Sequence, residues 1–256
     1  IPAHRVTAQR LSQALRDFDG WQPALRRPGL HVFTVGTRQG INGVYALQER
    51  GVVLGRLFRR DELGRSGTSD VRLSDDEAEG IVGSGGQALT RDYWGRYVAF
   101  LVQRSAAARV LRDPCGTLPC WRWRLGGVGL AFSWLEDVLQ ALPDVPAPAV
   151  DWQGVIAHLL LGPVGGRATA LEGIGQVLPG ESAPLSPDGE HPRLLWNAVG
   201  IARDGSHAVH AGAAEGLPPP LAMQLARATV AGAGALAEAS DDDPAWVRER
   251  YLQGPP

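Results

Sequence analysis

Residues Asp92–Asp137 read DYWGRYVAFLVQRSAAARVLRDPCGTLPCWRWRLGGVGLAFSWLED, and the rest of the chain is organised around them. Tyr97–Val102 is rich in β-branched and aromatic residues and predicts a strand. Ser105–Ala108 turns it, and Arg109–Arg112 returns. Asp113-Pro114-Cys115-Gly116 has Asp, Pro and Gly where a type I turn favours them. Trp121–Arg124 alternates two Trp with two Arg, which puts both indoles on one face of a strand, expected to be the interior one. Val128–Phe132 predicts a further strand, and Ser133 with Glu136 has the spacing of a capping box opening a helix that Pro143 closes.

Outward from this stretch, residues 5–18 have helical spacing, with Leu11, Leu15 and Phe18 on one side and Gly20 and Pro23 as terminators. His31–Val35, Val44–Leu47 and Gly51–Phe58 predict strands. Ser74-Asp75-Asp76-Glu77 is a capping box for a helix reaching about residue 88. After a stiff Pro-rich connector at 143–149, Asp151 caps a helix with Val155, Ile156, Leu159 and Leu160 on its apolar side, stopped by Gly162-Pro163. Leu171–Leu185 reads as strand, Pro-Gly turn, strand, and 186–189 as another turn. From Ala198 the chain becomes rich in Ala, Gly and Pro, with a Gly-weakened helix at Leu221–Ala239 and then Asp241-Asp242-Asp243-Pro244. Two segments follow, 1–197 and 198–256.

Composition narrows the function. The chain has 256 residues, 44% hydrophobic and 20% charged, with net charge −2, an ordinary globular balance that gives no overall attraction to nucleic acid or membrane. No apolar run is long enough for a membrane span and no signal peptide is visible, so the expected compartment is the cytoplasm. Residues 1–60 are Arg-rich and 61–90 acidic; the choice is between a solvated surface and a face for an acidic peptide. There is no Lys, which excludes a Walker loop at the Gly83–Gly86 glycines and any Schiff-base chemistry. The only two cysteines, Cys115 and Cys120, flank one turn without a His cluster; they read as reduced thiols, with a disulfide conceivable and no zinc site. His158 is a packed or half-exposed histidine, and His207 and His210 are loop residues without further metal ligands nearby.

The order and spacing of several pieces resemble the glutaminase-type domain of the asparagine synthetase family, and most closely its lasso-peptide macrolactam synthetases. The pieces are Trp94–Phe100, Val110–Cys120, Leu171–Ile174 running into Val177–Glu181, and Leu195-Trp196-Asn197. The resemblance covers about 52–197 and implies an α+β fold of the N-terminal-nucleophile-hydrolase type, a four-layer α-β-β-α sandwich with antiparallel sheets. It implies an ATP-dependent amide ligase in which Mg·ATP adenylates an Asp or Glu side chain and the peptide's own α-amine closes a macrolactam. Its partners would be a precursor peptide and a leader peptidase, with no nucleic acid and no membrane.

The same comparison removes the glutaminase chemistry. Where the family has Asn-Gly-Glu to hold the substrate amino acid, this chain has Leu54, Gly55 and Arg56, and an Arg repels an α-ammonium. Asp75 matches a pocket Asp of the family, but with the other pocket residues missing the segment reads as a capping box, Ser74 bonding the N3 amide and Glu77 reaching back. The first residue is Ile1, not the cysteine an N-terminal nucleophile needs, no Arg-Gly-Pro-Asp follows, and a chain starting without Met reads as a piece of a longer or altered protein. The Ser-Gly-Gly-x-Asp-Ser loop that cradles ATP phosphates is missing, which suggests a truncation or frameshift near residue 231. These 256 residues are therefore assigned no catalytic, cofactor-binding or metal-binding residue and no ligase activity alone; ATP and magnesium belong to the full-length family enzyme. A non-catalytic peptide-recognition or scaffold domain is the alternative, and a fragment of a glutamine-hydrolysing asparagine synthetase a third.

Overall fold

A computed structural model describes residues 3–35, 43–60, 71–102, 108–161, 166–186 and 191–197. All lie in the first of two units, Ile1–Trp196, apart from Asn197, which opens the second. The expectations for the 105–108 and 186–189 turns, for Gly162-Pro163, for His207 and His210 and for the 221–239 helix fall wholly or partly outside the described residues.

The fold is α+β with antiparallel sheets. A six-stranded sheet has the order β11-β10-β6-β5-β4-β3, from β3 (Gly43–Ala46), β4 (Gly51–Arg59), β5 (Tyr93–Leu101), β6 (Arg109–Arg112), β10 (Glu181–Pro184) and β11 (Arg193–Leu194). Every described pairing in it is antiparallel. A three-stranded sheet, β8-β7-β9, comes from β7 (Trp121–Leu125), β8 (Val128–Phe132) and β9 (Ile174–Gln176), and β1 (Gln22–Arg27) pairs with β2 (Leu30–Thr34) as a hairpin. The sequence reading missed β1, because Pro23 looked like a terminator; it sits at the start of a strand, where its missing N–H costs little.

Strand alternation sorts the core. Val53, Leu57, Tyr97, Ala99 and Leu101 lie on one face of the large sheet and pack against Ala78, Ile81, Val82 and Leu89 of helices α2 (Asp75–Gly83) and α3 (Gln87–Asp92). Val52, Val98, Phe100 and Val110 face the other way and meet Leu30 and Val32 of β2, Cys120, Val177 and Ala131 of β8. The far side of β8 contributes Val128, Leu130 and Phe132 to a third cluster, with Leu11 of α1 (Ala3–Asp17) and Val138, Ala141 and Leu142 at α4 (Leu135–Ala141) and its end. Trp121 and Trp123 share that helix-facing side and are only half-buried, while Arg122 stands opposite Ala131 on the sheet-facing side. The expected interior indole face is thus a partly covered one.

Four local readings change. The helix expected from 75 to 88 breaks: Gly85 and Gly86 take φ of 66° and 96°, and their N–H groups bond Val82 O and Ile81 O, which closes α2 before α3 begins. β5 starts at Tyr93, four residues early, carried by pairing with β4. The Ser133–Glu136 capping box does not form, because Trp134 stays extended and α4 starts at Leu135. Finally, β9 and β10 flank the Pro179-Gly180 turn but are not a hairpin. β9 pairs with β7 and β10 with β6, so this segment crosses from one sheet to the other.

Candidate functional site

The turn after β6 is held by two buried charged residues. Arg112 donates from Nε to Leu118 O and from Nη1 to Val177 O, both at 2.9 Å, and from Nη2 to Gly116 O. Gly116 N closes the turn on Asp113 O at 3.1 Å with a φ of 63°, as the Asp-Pro-x-Gly spacing predicts. The Pro179-Gly180 turn packs on top. A Cβ on Gly116 would lie 2.6 Å from Pro179 Cγ, and Gly180 N bonds Arg112 O and Asp113 O at 3.2 and 3.1 Å. Gly180 O in turn accepts from Leu195 N at 2.9 Å and Trp196 N at 3.3 Å. Segments 110–120, 177–181 and 195–196 therefore form one knot.

Burial pushes the Asp113 carboxyl up from its ordinary range, against the pull of backbone N–H groups of Tyr97, Gly116, Leu118 and Thr117. Oδ2 takes the Tyr97 N–H at 3.4 Å. Among the described residues Asp113 Oδ1 and the buried Tyr97 hydroxyl have no hydrogen-bond partner, and burial raises the Tyr97 phenol above its usual value. Glu181, also buried, accepts from Leu178 N at 2.9 Å and from Arg167 Nε at 3.2 Å, joining the crossing segment to its own turn. This is the chemistry of a structural hub: its donors are spent on backbone.

The Leu54-Gly55-Arg56 segment lies on β4. Leu54 is half-buried, Gly55 buried and Arg56 exposed. Arg56 stands directly opposite Arg96 of β5. Asp75 is exposed at the first turn of α2, where the capping box is present, with Glu77 N bonding Ser74 Oγ at 3.2 Å and Ser74 N bonding Glu77 Oε2 at 2.7 Å. Glu77 also ion-pairs with Arg59 and accepts from Tyr93 Oη at 2.7 Å. The Arg59 guanidinium holds the Glu77 carboxyl down at about 2. The acidic start of α2 is a fastening between helix and sheet.

Cys115 is exposed and Cys120 buried, and both are free. Burial, then the nearby Asp113, raises the Cys115 thiol, and burial pushes Cys120 up to about 12, so neither is a thiolate nucleophile at neutral pH. His158 is exposed on α5 (Trp152–Leu161), as are Trp152 and, of the apolar side read from the sequence, Ile156, Leu159 and Leu160, while Val155 is half-buried. Asp151 caps α5 as expected, with its Oδ1 accepting from Gln153 N at 3.0 Å. Sequence reading missed a Ser–His contact: Ser12 Oγ lies 2.6 Å from His31 Nδ1. Ser12 is only 5% exposed, so the pair ties α1 to β2 rather than presenting a nucleophile. A groove of about 230 Å³ is lined by Thr7, Leu11, Leu125 and Leu142 together with the Arg10–Asp144 ion pair.

Among the described residues no three His, Cys, Asp or Glu side chains converge as a metal would require. No helix among them is long and apolar enough to cross a membrane. The chain matches no protein-family model, and no curated protein aligns with it significantly.

Proposed function

We propose that this chain is the glutaminase-like part of an asparagine synthetase-like, ATP-dependent amide ligase of the lasso-peptide macrolactam type, a part without a working glutaminase site that holds the precursor peptide. The observation that carries this reading is the knot around Arg112. The separate motifs on which the resemblance rests are distant in sequence yet share one set of hydrogen bonds. Supporting the N-terminal-nucleophile-hydrolase-like sandwich is the order of packing: α2 and α3, the six-stranded sheet, the β1–β2 and β7–β9 layer, then α1 and α4.

The missing glutamine chemistry follows from the residues at the β4 site. An aliphatic Leu54 offers no amide, and an exposed Arg56 beside Arg96 disfavours an α-ammonium. The amine for amide formation then comes from the peptide, with adenylation by Mg·ATP carried out elsewhere in the cytoplasmic enzyme, after a leader peptidase has freed that amine. Two measurements test this. Purified chain incubated with glutamine should release no glutamate above background, and sustained release overturns the loss of glutaminase. The gene expressed together with its neighbours should yield a peptide lighter by one water; an unchanged peptide, with every component present, overturns the ligase assignment.

A further inference from the structure

β7 carries two cations towards the large sheet. Cys120, Arg122 and Arg124 alternate with Trp121 and Trp123, so both guanidinium groups start from the sheet-facing side of the strand. Arg122 is half-buried and Arg124 exposed. Their cross-strand neighbours offer no side-chain oxygen: Ala131 of β8 and Gly175 of β9 stand beside Arg122, and Gly129 of β8 beside Arg124. Among the described residues neither guanidinium makes a hydrogen bond or an ion pair.

A cation drawn out of water without a partner is costly, and buried polar groups are as a rule bonded. Glu181 is the carboxylate whose charge acts on Arg122, but its oxygens are engaged: Oε1 accepts from Arg167 Nε at 3.2 Å and Oε2 from Leu178 N at 2.9 Å. Burial lowers the Arg122 guanidinium from its ordinary value, and Arg124 and Arg167 add to this against Glu181 and Cys120. The β8 side is closed, since a Cβ on Gly129 would lie 1.9 Å from Leu185 O. The β9 side is open: a Cβ on Gly175 would have Arg167 O, at 3.2 Å, as its one neighbour within 4 Å.

We propose that Arg122 and Arg124 seat a carboxylate of an acidic peptide segment, which reaches them over Gly175. Two residues apart on a strand is about 7 Å, a spacing that lets two long side chains close on one carboxylate, whose planar oxygens match the guanidinium fork. This rests on the peptide-holding role assigned above and names the residues that perform it. Charge favours a peptide over nucleic acid. The chain carries a net −2, and two guanidinium groups neutralise far fewer phosphates than the roughly six to ten contacts of a typical DNA-binding surface.

The test uses the full chain and a fluorescein-labelled, C-terminally amidated nonapeptide, Gly-Ser-Gly-Leu-Glu-Leu-Gly-Ser-Gly, beside the same peptide with Gln for Glu, followed by anisotropy. The Glu peptide should bind about tenfold more tightly than the Gln peptide, and added salt should erode that preference. Arg122→Gln should abolish the preference, Arg122→Lys should keep part of it, Arg124→Gln should reduce it, and Arg5→Gln on α1 should leave it unchanged. Without peptide, Arg122→Met should melt no lower than wild type, because it removes an unpaired cation. The Glu peptide should raise the melting temperature of wild type and not that of Arg122→Gln. Equal affinity for the two peptides, a preference that survives Arg122→Gln, melting of Arg122→Met well below wild type, or tighter binding of labelled oligothymidylate overturns the site. If wild type binds both peptides equally, only this site falls and peptide holding stands. If wild type binds neither peptide, both fall.

Discussion

Replacing Arg112 by Ala removes three hydrogen bonds at once, to Leu118 O, Val177 O and Gly116 O. Charge-assisted bonds contribute about 1.5–3 kcal/mol each, and water entering the vacated space recovers part of that. A loss of about 3–5 kcal/mol is expected, a large share of the roughly 5–15 kcal/mol that holds a domain folded. With a urea slope of about 2 kcal/mol per M, the midpoint should fall by about 1.5–2.5 M. The eight tryptophans supply the fluorescence signal. Arg112→Lys, which keeps the charge but not the three-pronged reach, should fall in between. A midpoint for Arg112→Ala within about 0.3 M of wild type, or about 0.6 kcal/mol at that slope, would refute the claim that this side chain ties the sheets' crossing segment to the β6 turn.

Three further outcomes concern Glu77, His31 and Tyr97. The Glu77 carboxyl is held at about 2 against an ordinary 4.5, so its stabilisation is complete above pH 4.5 and lost as pH falls towards 2; Glu77→Gln should cost about 1–2 kcal/mol at pH 7, discounted for an ion pair 28–29% exposed, and nothing near pH 2, measured by urea unfolding across pH. His31 is lowered as well: burial, then Arg26 and Arg16, lower it from 6.5, so the unfolded chain binds the proton more readily and stability drops as pH falls below 6.5; His31→Gln should flatten that part of a melting-temperature profile. Tyr97→Phe deletes a buried hydroxyl without a partner among the described residues and should change stability by less than about 1 kcal/mol, in either direction; a larger loss in thermal unfolding would show that the hydroxyl is bonded.

Local chemistry was well written in the sequence, and partner choice was not. The Ser74–Glu77 capping box, the Asp113–Gly116 turn and the Asp151 cap formed as spaced, because each is decided within four residues. Ser133–Glu136 has the same spacing and stayed unused, since the extended Trp134 delays the helix. Pro179-Gly180 looked like a hairpin turn, but its N–H and C=O groups are claimed by Arg112, Asp113, Leu195 and Trp196, which no local pattern reveals. The facing of Arg56 and Arg96 was hidden for the same reason: it exists only through the β4–β5 register. Gly55 and Gly95, each inside a strand, were the one visible sign of a close backbone approach there.

The union of β6 with β10 also sets a clock for the newborn chain. Arg109 and its partner Ser182 are 73 residues apart. At about 5–20 residues per second, a ribosome needs about 4–15 s to deliver the second after the first. Throughout that interval one side of β6 waits with its backbone groups open to any passing extended segment. Slower translation lengthens that wait, so yield of native material should depend on synthesis rate and on chaperones that shield strand edges until residue 184 emerges.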